Sequence, residues 1–375
     1  MIARAARTFA SSRLSPLAAE RDRTGAYPLA EISALAELGL LAAKVSPALG
    51  GGGADNVGYA LALEAIAEAC VSTAVILASC NLVAKLVADH GTASQRERWL
   101  GPLATGKLGP ASFALTEPGC GSDAAALATT ARLDATQTDW ILDGSKMWIT
   151  SGAHAGFHLV FARTDGHAPS PEGISAFLVP RDTPGLVIGK EEDKMGQRAS
   201  GTVALSFDNC RISADHLLGP RGGGYALALS ALGSGRVGIA ALSIGIAEAA
   251  LAAGIAYAHE RRVFGRALDQ FQNTQFVLAD ARTELDAAWL LTLRAARLLD
   301  AGDKAAAETS MAKLFASETC GRIVDRVLQL HGGYGYSRDY PIERMYRDAR
   351  VTRIYEGTSE IQRIVIARSL LRDAR

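Results

Sequence analysis

The sequence has no excess of charge of either sign and no paired cysteines. Lys plus Arg and Asp plus Glu number 39 each, so no strongly basic surface is available to bind a nucleic-acid backbone. No uninterrupted apolar run reaches the roughly 20 residues that span a bilayer, so we expect no membrane insertion. The cysteines stand singly, without the spacing of a metal site or a disulfide framework, which is typical of a reducing compartment. They are Cys70, Cys80, Cys120, Cys210 and Cys320.

The first 23 residues contain five arginines together with serine and alanine, and no acidic residue precedes Glu20. This composition is typical of a mitochondrial transit peptide. The same segment fits the first amphipathic helix of a folded protein, because Ile2, Ala6, Phe9 and Ala10 share one helical face. We favour the helix and keep the transit peptide as the alternative.

The hydrophobic period changes twice along the chain. Up to about Pro110 long segments have three- and four-residue apolar spacing without glycine or proline, which predicts packed helices. Near Ser112 the period becomes two, and after about Asp215 the helical period returns. At 375 residues the chain exceeds one compact core. We therefore predict an α+β multidomain fold, with an N-terminal helical domain (1–111), a middle antiparallel β-barrel or sandwich domain (112–214) and a C-terminal helical domain (215–375).

Two local patterns support the middle β domain. Asp143-Gly144 separates two apolar runs, residues 140–142 and 145–150, and predicts a hairpin with a type I′ turn. In residues 202–208, Val203, Leu205 and Phe207 alternate with less apolar residues, which predicts a strand with one buried face.

One sequence match to a dinucleotide-binding motif does not predict dinucleotide binding here. Gly233, Gly235 and Gly238 match the dinucleotide pattern GxGxxG. That pattern requires a strand that leads through a tight turn into a helix. Here the residues on both sides have a helical period, and no acidic residue follows about 20 residues later. We predict a continuous helix and no Rossmann site.

Five segments combine glycine, hydroxyl, aromatic and charged residues in a manner typical of ligand sites. Each also has a purely structural explanation: a Pro-Gly turn, a tryptophan in a core, cations at a helix C-terminus, a glycine cap or a carboxylate ahead of a helix. Taken singly, each leaves both explanations open. The segments are LTEPGCGSD (115–123), KMWITSG (146–152), RRVFG (261–265), QLHGGYGY (329–336) and RIYEGTSEIQ (353–362).

Together and in this order, the segments resemble the acyl-CoA dehydrogenase family, most closely its short-chain (butyryl) branch. The resemblance covers nearly the whole chain, which lacks only the opening turns of the family's first helix. It implies an N-terminal helical domain, a middle β domain and a C-terminal four-helix bundle. It also implies FAD between the β domain and the C-terminal helices, and a homotetramer built from two dimers.

The resemblance further assigns positions to ligands. The acyl thioester or its pantetheine arm would contact Ser122, Arg236, Tyr355 and Gly357. Positions that match FAD-binding residues of the family, some of them facing the FAD of a neighbouring subunit, are Phe113, Leu115, Thr116, Gly121, Ser122, Trp148, Ile149, Thr150, Arg261, Phe264, Gln272, Gln329, Leu330, Gly332, Gly333, Thr358 and Glu360.

The catalytic base follows from the same resemblance. The family places its glutamate either in the YEG segment or immediately before the arginine that is Arg236 here. This chain has Gly235 at the second position, so Glu356 is the remaining candidate. By resemblance, Glu356 would take the α-proton of a short- or branched-chain acyl-CoA while hydride leaves the β-carbon for flavin N5. The product would be a trans-2-enoyl-CoA, and electron-transfer flavoprotein would receive the electrons.

One position departs from the branch. Relatives commonly carry aspartate three residues before Arg236, near the pantetheine arm, where this chain has Gly233. An acyl group on a carrier protein is therefore an alternative substrate, while replacement of the carboxylate by water is equally consistent. A flavin oxidase or monooxygenase on the same fold, and a catalytically silent binding protein, are further alternatives. We expect a cytoplasmic protein, or a mitochondrial-matrix protein in a eukaryote.

Overall fold

The computed structural model describes residues 2–373, with helices at both ends of the chain and a sheet between them. The N-terminal part is entirely helical, and Asp55 caps its fourth helix by accepting a hydrogen bond from the Gly58 N–H at 2.6 Å. The α-helices are α1 (Ile2–Phe9), α2 (Ala18–Thr24), α3 (Leu29–Glu37), α4 (Asn56–Ala69), α5 (Val71–His90), α6 (Ala93–Gln95) and α7 (Gly101–Ala104).

The arginine-rich start of the chain is a helix of the fold. Ala6 and Ala10 are fully buried. Arg7 forms ion pairs with Glu64 at 2.6 Å and Glu68 at 2.5 Å, both on α4. The preferred prediction of an amphipathic first helix is confirmed for the described residues.

The middle of the chain forms an eight-stranded sheet in the order β6-β7-β3-β2-β4-β5-β8, with β1 paired to β4. Most pairings are antiparallel, as predicted. The exceptions are β1 with β4 and a single contact between β2 and β4, which are parallel. The strands are β1 (Ala111–Ala114), β2 (Thr130–Leu133), β3 (Asp139–Ile149), β4 (Phe157–Arg163), β5 (Ile174–Pro180), β6 (Leu186–Glu191), β7 (Val203–Ser213) and β8 (Leu217–Leu218).

The predicted hairpin at Asp143-Gly144 is wrong, because both residues lie inside the single long strand β3. The register against β7 shifts between Leu142 and Gly144, so the pair forms a bulge. Asp143 accepts a hydrogen bond from the Asn209 N–H at 2.7 Å. A Cβ on Gly144 would lie 2.7 Å from the Thr129 Cα. Glycine is required here because Thr129, just ahead of the neighbouring strand β2, packs directly against this position while β3 continues through it.

The sheet is buried on both faces. On β4, Leu159 and Phe161 pack in the large core shared with the helices. Their neighbours Val160 and Ala162 pack in a second core inside the β domain. This alternation follows from the two-residue period of a strand and fixes the sheet against the helical parts.

The C-terminal part contains four long helices and one short helix. The longest, α8, includes Gly233, Gly235 and Gly238 in its interior, so the GxGxxG match is helical as predicted. A small hairpin of β9 (Arg262–Val263) and β10 (Arg266–Ala267) follows α8. The helices are α8 (Gly224–Glu260), α9 (Gln272–Asp300), α10 (Ala306–His331), α11 (Ile342–Arg350) and α12 (Ser359–Asp373).

Two helices, α5 and α8, are long and apolar enough to cross a membrane by length and composition alone. The expectation drawn from uninterrupted apolar runs missed them, because small polar residues and a few charged residues, such as Lys85 and Arg236, interrupt the runs. In the most apolar 18-residue stretch of each helix, 89% of the residues of α5 and 67% of those of α8 are buried inside the fold. Their apolar faces are therefore largely covered by other parts of the protein.

Candidate active site

Glu356 projects from a tight turn just ahead of α12. Its φ is 53° and that of Gly357 is 87°, so two consecutive residues are left-handed. A non-glycine residue in this region costs of order 1–3 kcal/mol unless its surroundings hold it there. The Gln362 side-chain amide donates to the carbonyls of Glu356 and Gly357 at 3.3 and 2.8 Å, and Lys313 Nζ donates to the Gly357 carbonyl at 2.8 Å. These bonds fix the direction of the Glu356 side chain.

The Glu356 carboxyl rests against the bare backbone of α8. A Cβ on Gly235 would lie 2.1 Å from Glu356 Oε2 and 3.2 Å from Leu82 Cδ2. Gly235 therefore provides the space that the carboxyl occupies. The two positions at which the resemblance allows a base meet in space, and only one of them has room for a side chain.

The environment of Glu356 favours its neutral form. Burial raises the pKa of Glu356 to about 7, although the positive charges of Lys313, Arg236 and Lys44 act in the opposite direction. Its Oε2 atom is buried and has no hydrogen-bond partner among the residues that the structure describes. A carboxyl that is half ionised near neutral pH and lacks a protein partner is well suited to accept a proton from a ligand.

The cations beside Glu356 are themselves weakly partnered. Arg236 Nη1 donates to Ser310 Oγ at 3.1 Å, and burial lowers the pKa of Arg236. Burial also lowers the pKa of Lys313 to about 8. Within residues 2–373, neither Arg236 nor Lys313 forms an ion pair. The site is consequently positive.

Tyr355 connects this turn to the β domain. The Gln197 side-chain amide donates to the Tyr355 hydroxyl and to the Asp348 carbonyl, both at 3.1 Å. Burial raises the pKa of Tyr355, so its hydroxyl stays protonated at neutral pH. Gln197 precedes β7, so the loop before that strand is joined to the segment that carries Glu356.

A second group of predicted residues forms a surface of the β domain. Trp148, at the end of β3, is 57% exposed, and its φ of 62° directs it away from the regular strand. The Met147 N–H donates to the Thr116 carbonyl at 2.9 Å, which places the loop 115–123 beside the tryptophan. Phe113, Leu115 and Thr150 are half-buried in the same region, while Gly121 and Ser122 are exposed. Ile149 is 1% exposed and packs in the β-domain core, so it offers only its backbone to this surface.

A buried ion pair holds that loop. Lys146 Nζ donates to Glu117 Oε1 at 2.7 Å and to the Leu115 carbonyl at 3.1 Å. Glu117 also accepts hydrogen bonds from the N–H groups of Ala128 and Thr129 at 2.6 and 3.0 Å. The carboxylate thus joins the start of the loop to Lys146 on β3 and to the backbone of Ala128 and Thr129, just ahead of β2.

The third group lies at the opposite end of the bundle. Arg261 stands 25 residues after Arg236, at the C-terminus of α8, which corresponds to about 38 Å along a helix. The Arg261 guanidinium lies over the Tyr334 ring at 5.2 Å, and Phe264 is 95% exposed. The remaining members are Gln272, Gln329, Leu330, Gly332 and Gly333, mostly exposed.

The predicted residues therefore form three clusters. Arg236, Tyr355, Glu356 and Gly357 come together, with Thr358 half-buried and Glu360 exposed on the same turn. Sequence reasoning missed Lys44, Tyr59 and Lys313, which also surround Glu356. These residues are single polar side chains in apolar segments, and only the fold brings them together.

Models of the acyl-CoA dehydrogenase N-terminal, middle and C-terminal domains match residues 1–107, 112–210 and 222–371. The chain is 48% identical over its whole length to the mitochondrial short-chain specific acyl-CoA dehydrogenase of Mus musculus, of which it covers 90%.

Two solved structures are similarly close. Butyryl-CoA dehydrogenase from Megasphaera elsdenii has a TM-score of 0.95 and 38% identity, with 99% of this chain and 97% of that chain covered. A chain in the structure of the electron transferring flavoprotein of Acidaminococcus fermentans has a TM-score of 0.96 and 40% identity, with the same coverage. This protein therefore belongs to the acyl-CoA dehydrogenase family of FAD-dependent oxidoreductases.

Proposed function

We propose that the protein catalyses α,β-dehydrogenation of a short- or branched-chain acyl-CoA to the trans-2-enoyl-CoA, with Glu356 as the base. The observation that carries this proposal is the inward-facing Glu356 carboxyl, with its raised pKa and an Oε2 atom that no described residue partners. By the family resemblance, the oxidases and monooxygenases of this fold that act on nitroalkanes or aromatic compounds generally lack a glutamate at the position of Glu356, which favours the dehydrogenase.

The surface around Trp148 fits the flavin. An exposed tryptophan beside a loop rich in glycine and hydroxyl groups offers a flat apolar wall together with hydrogen-bond donors. A Cβ on Gly121 would have no atom within 4 Å, so the loop backbone is open to a close ligand. We infer that Trp148 and Thr150 would wall the ring, with Phe113, Leu115 and Thr116 beside it. FAD, when bound there, would accept the hydride from the substrate β-carbon.

The residues of the turn would supply the rest of the chemistry. Glu356 would accept the α-proton, and its backbone N–H would donate to the thioester oxygen as negative charge develops there. Arg236 and Lys313 would strengthen that stabilisation, because both are charged and lack a carboxylate partner. Ser122, Tyr355 and Gly357 would contact the acyl thioester or its pantetheine arm.

We further propose a homotetramer built from two dimers. The cluster of Arg261, Phe264 and Gln272 lies too far along α8 to contact a ligand that Glu356 also touches. It carries an almost fully exposed phenylalanine, which a subunit interface would cover. We infer that this cluster, with residues 329–333, would hold the FAD of a neighbouring subunit. Thr358 and Glu360 would reach the nucleotide part.

Electron-transfer flavoprotein is the proposed electron acceptor, supported by the structural similarity to a chain in the Acidaminococcus fermentans structure. We propose a cytoplasmic location, or the mitochondrial matrix in a eukaryote, in line with the mitochondrial relative from Mus musculus.

A panel of acyl thioesters tests the function. Purified protein with bound FAD is mixed anaerobically with short and branched acyl-CoAs, and bleaching of the flavin absorbance is followed. We expect rapid bleaching by at least one short acyl-CoA and slow reoxidation by air. Bleaching only by a carrier-bound acyl group would favour the alternative that Gly233 suggests. Fast reaction with oxygen would indicate an oxidase.

The raised pKa of Glu356 predicts a pH dependence. The carboxylate is the active form, so kcat/KM for an acyl-CoA with an uncharged acyl chain should fall about tenfold for each pH unit below about 7. The free energy of unfolding should depend on pH in the opposite direction. A carboxyl whose pKa is raised by folding stabilises the fold at pH values below its unfolded pKa. That contribution is lost as the pH rises from the unfolded pKa through about 7. A kcat/KM profile that is flat from pH 5 to 8 would contradict the assignment of the base.

A glycine pair on α8 tests the contact with the carboxyl. Gly235→Ala places a Cβ where Glu356 Oε2 lies, so we expect flavin reduction to slow at least tenfold because the base is displaced. Gly233→Ala is the matched control, since its Cβ would make only ordinary contacts, with Leu299 Cδ2 at 3.8 Å and the Lys304 carbonyl oxygen at 4.0 Å. Both variants gain similar helix propensity. Equal rates for the two variants, measured by anaerobic stopped flow, would show that the contact is unimportant.

A further inference from the structure

Lys44 is a cation beside the proposed base that no acid in the described chain neutralises. Its Nζ donates to Ser234 Oγ and lies 4.8 Å from the centroid of the Tyr59 ring. Within residues 2–373 it forms no ion pair. Ser234 precedes Gly235, the residue against which Glu356 rests. Adjacent residues on α8 therefore contact the Lys44 ammonium and the Glu356 carboxyl, and the charge of Lys44 acts on Glu356.

The backbone that carries Lys44 is fixed. Asn81 is 2% exposed and accepts a hydrogen bond from the Ala43 N–H at 2.7 Å. Its side-chain amide donates to the carbonyls of Leu40 and Leu77 at 2.8 and 2.9 Å. Lys44 therefore extends from a rigid platform, as expected of a residue that recognises a ligand.

The nearby acids are already engaged. Asp89 pairs with Lys85 at 2.5 Å. Asp300 accepts hydrogen bonds from the Asn56 N–H and side-chain amide at 2.8 and 2.7 Å. Neither lies within ion-pair distance of Lys44. The charges that act on Glu356 are three cations, Lys313, Arg236 and Lys44, against its own single carboxyl, which leaves a positive excess.

A positive excess in a poorly solvated site favours an anionic ligand. Burial and the neighbouring Lys85 lower the pKa of Lys44 to about 8, so the ammonium is mostly charged at neutral pH but poorly hydrated. An ammonium has three donors, and only one of them is used by Ser234.

We propose that Lys44 is a specificity-determining residue that binds a carboxylate on the acyl chain, so that the preferred substrates are short acyl thioesters ending in an acid. This inference rests on the proposed dehydrogenase function. It narrows the substrate class, because a carboxylate near the far end of the acyl group would neutralise the excess charge without touching the reacting carbons.

The test compares butyryl-CoA with glutaryl-CoA, which adds a terminal carboxylate. In the wild type, kcat/KM from anaerobic flavin reduction should favour glutaryl-CoA. Lys44→Met should lower the glutaryl-to-butyryl ratio by about 10- to 100-fold, the size expected for a lost hydrogen bond to a charged group. Lys44→Arg should restore much of the ratio. Lys85→Met is the comparison variant, since it removes a nearby cation that pairs with Asp89 but keeps the Lys44 ammonium, and it should change the ratio far less than Lys44→Met.

Each negative result leads to a different conclusion. If neither thioester bleaches the wild-type flavin, the proposed function is wrong. If butyryl-CoA bleaches it and glutaryl-CoA is no better, the function stands and the role of Lys44 is wrong, a result that needs no variant to fold. If Lys44→Met slows both substrates equally, Lys44 acts on the shared thioester, the coenzyme or the flavin, and the proposal is overturned.

Discussion

Glu356→Gln should retain bound FAD and lose reduction by acyl thioesters, with the rate of flavin bleaching lowered by at least about 10²–10⁴-fold, the contribution of a well-placed base. Glutamine has nearly the same shape, so it fits against Gly235 and keeps the left-handed turn. It cannot accept a proton at neutral pH. The measurement is anaerobic stopped flow at 450 nm with the best thioester of the panel.

The stability of the Glu356→Gln variant shows whether a loss of activity comes from the missing base or from misfolding. Because burial raises the pKa of Glu356 to about 7, the ionised carboxylate is unfavourable in the fold above that pH. Glu356→Gln removes this cost, so the variant should gain stability relative to the wild type as the pH rises from about 4.5, the ordinary pKa of the carboxyl, to about 7, and the gain should stay constant above that. Bleaching at the wild-type rate by a correctly folded variant would show that another group takes the proton.

Each of the motifs visible in the sequence lies within one short segment, and in the structure each forms one local part of the site. Loop 115–123, the strand end at Trp148 and the turn at Glu356 each come from one short segment. Their resemblance to a family placed them correctly in the order helix, sheet, helix.

The errors and omissions arose where distant segments meet. Asp143-Gly144 is a good local signal for a turn. In the structure, however, Thr129 packs directly against Gly144, and β7 pairs with β3 on both sides of this pair. Tertiary contacts therefore overrode the local preference. Lys44, Tyr59 and Lys313 converge on Glu356 from a turn and two separate helices, and no periodicity in the sequence predicts that convergence.

Lys146→Met should destabilise the protein by about 3–5 kcal/mol, because it leaves the Glu117 carboxylate buried without its cation. Both side chains are buried, at 0% and 7% exposure, and their atoms are 2.7 Å apart. Burial acts to raise the pKa of Glu117, but Lys146 and the hydrogen bonds from Ala128 and Thr129 outweigh it, so the pKa is lowered. The stabilisation is therefore present above the unfolded pKa of Glu117 and is lost as the pH falls through its folded value.

Two comparisons show whether burial is the cause. Lys85→Met breaks the exposed pair with Asp89 and should cost no more than about 1 kcal/mol. The double variant Lys146→Met with Glu117→Gln should recover much of the loss, because no buried charge remains. Urea unfolding followed by tryptophan fluorescence gives these values, and flavin absorbance shows when FAD is released. Since Glu117 fastens the loop beside Trp148, Lys146→Met should also release FAD at lower urea than the wild type. A Lys146→Met variant that unfolds and releases FAD at the same urea concentrations as Lys85→Met would mean that the buried pair neither stabilises the fold nor shapes the flavin surface.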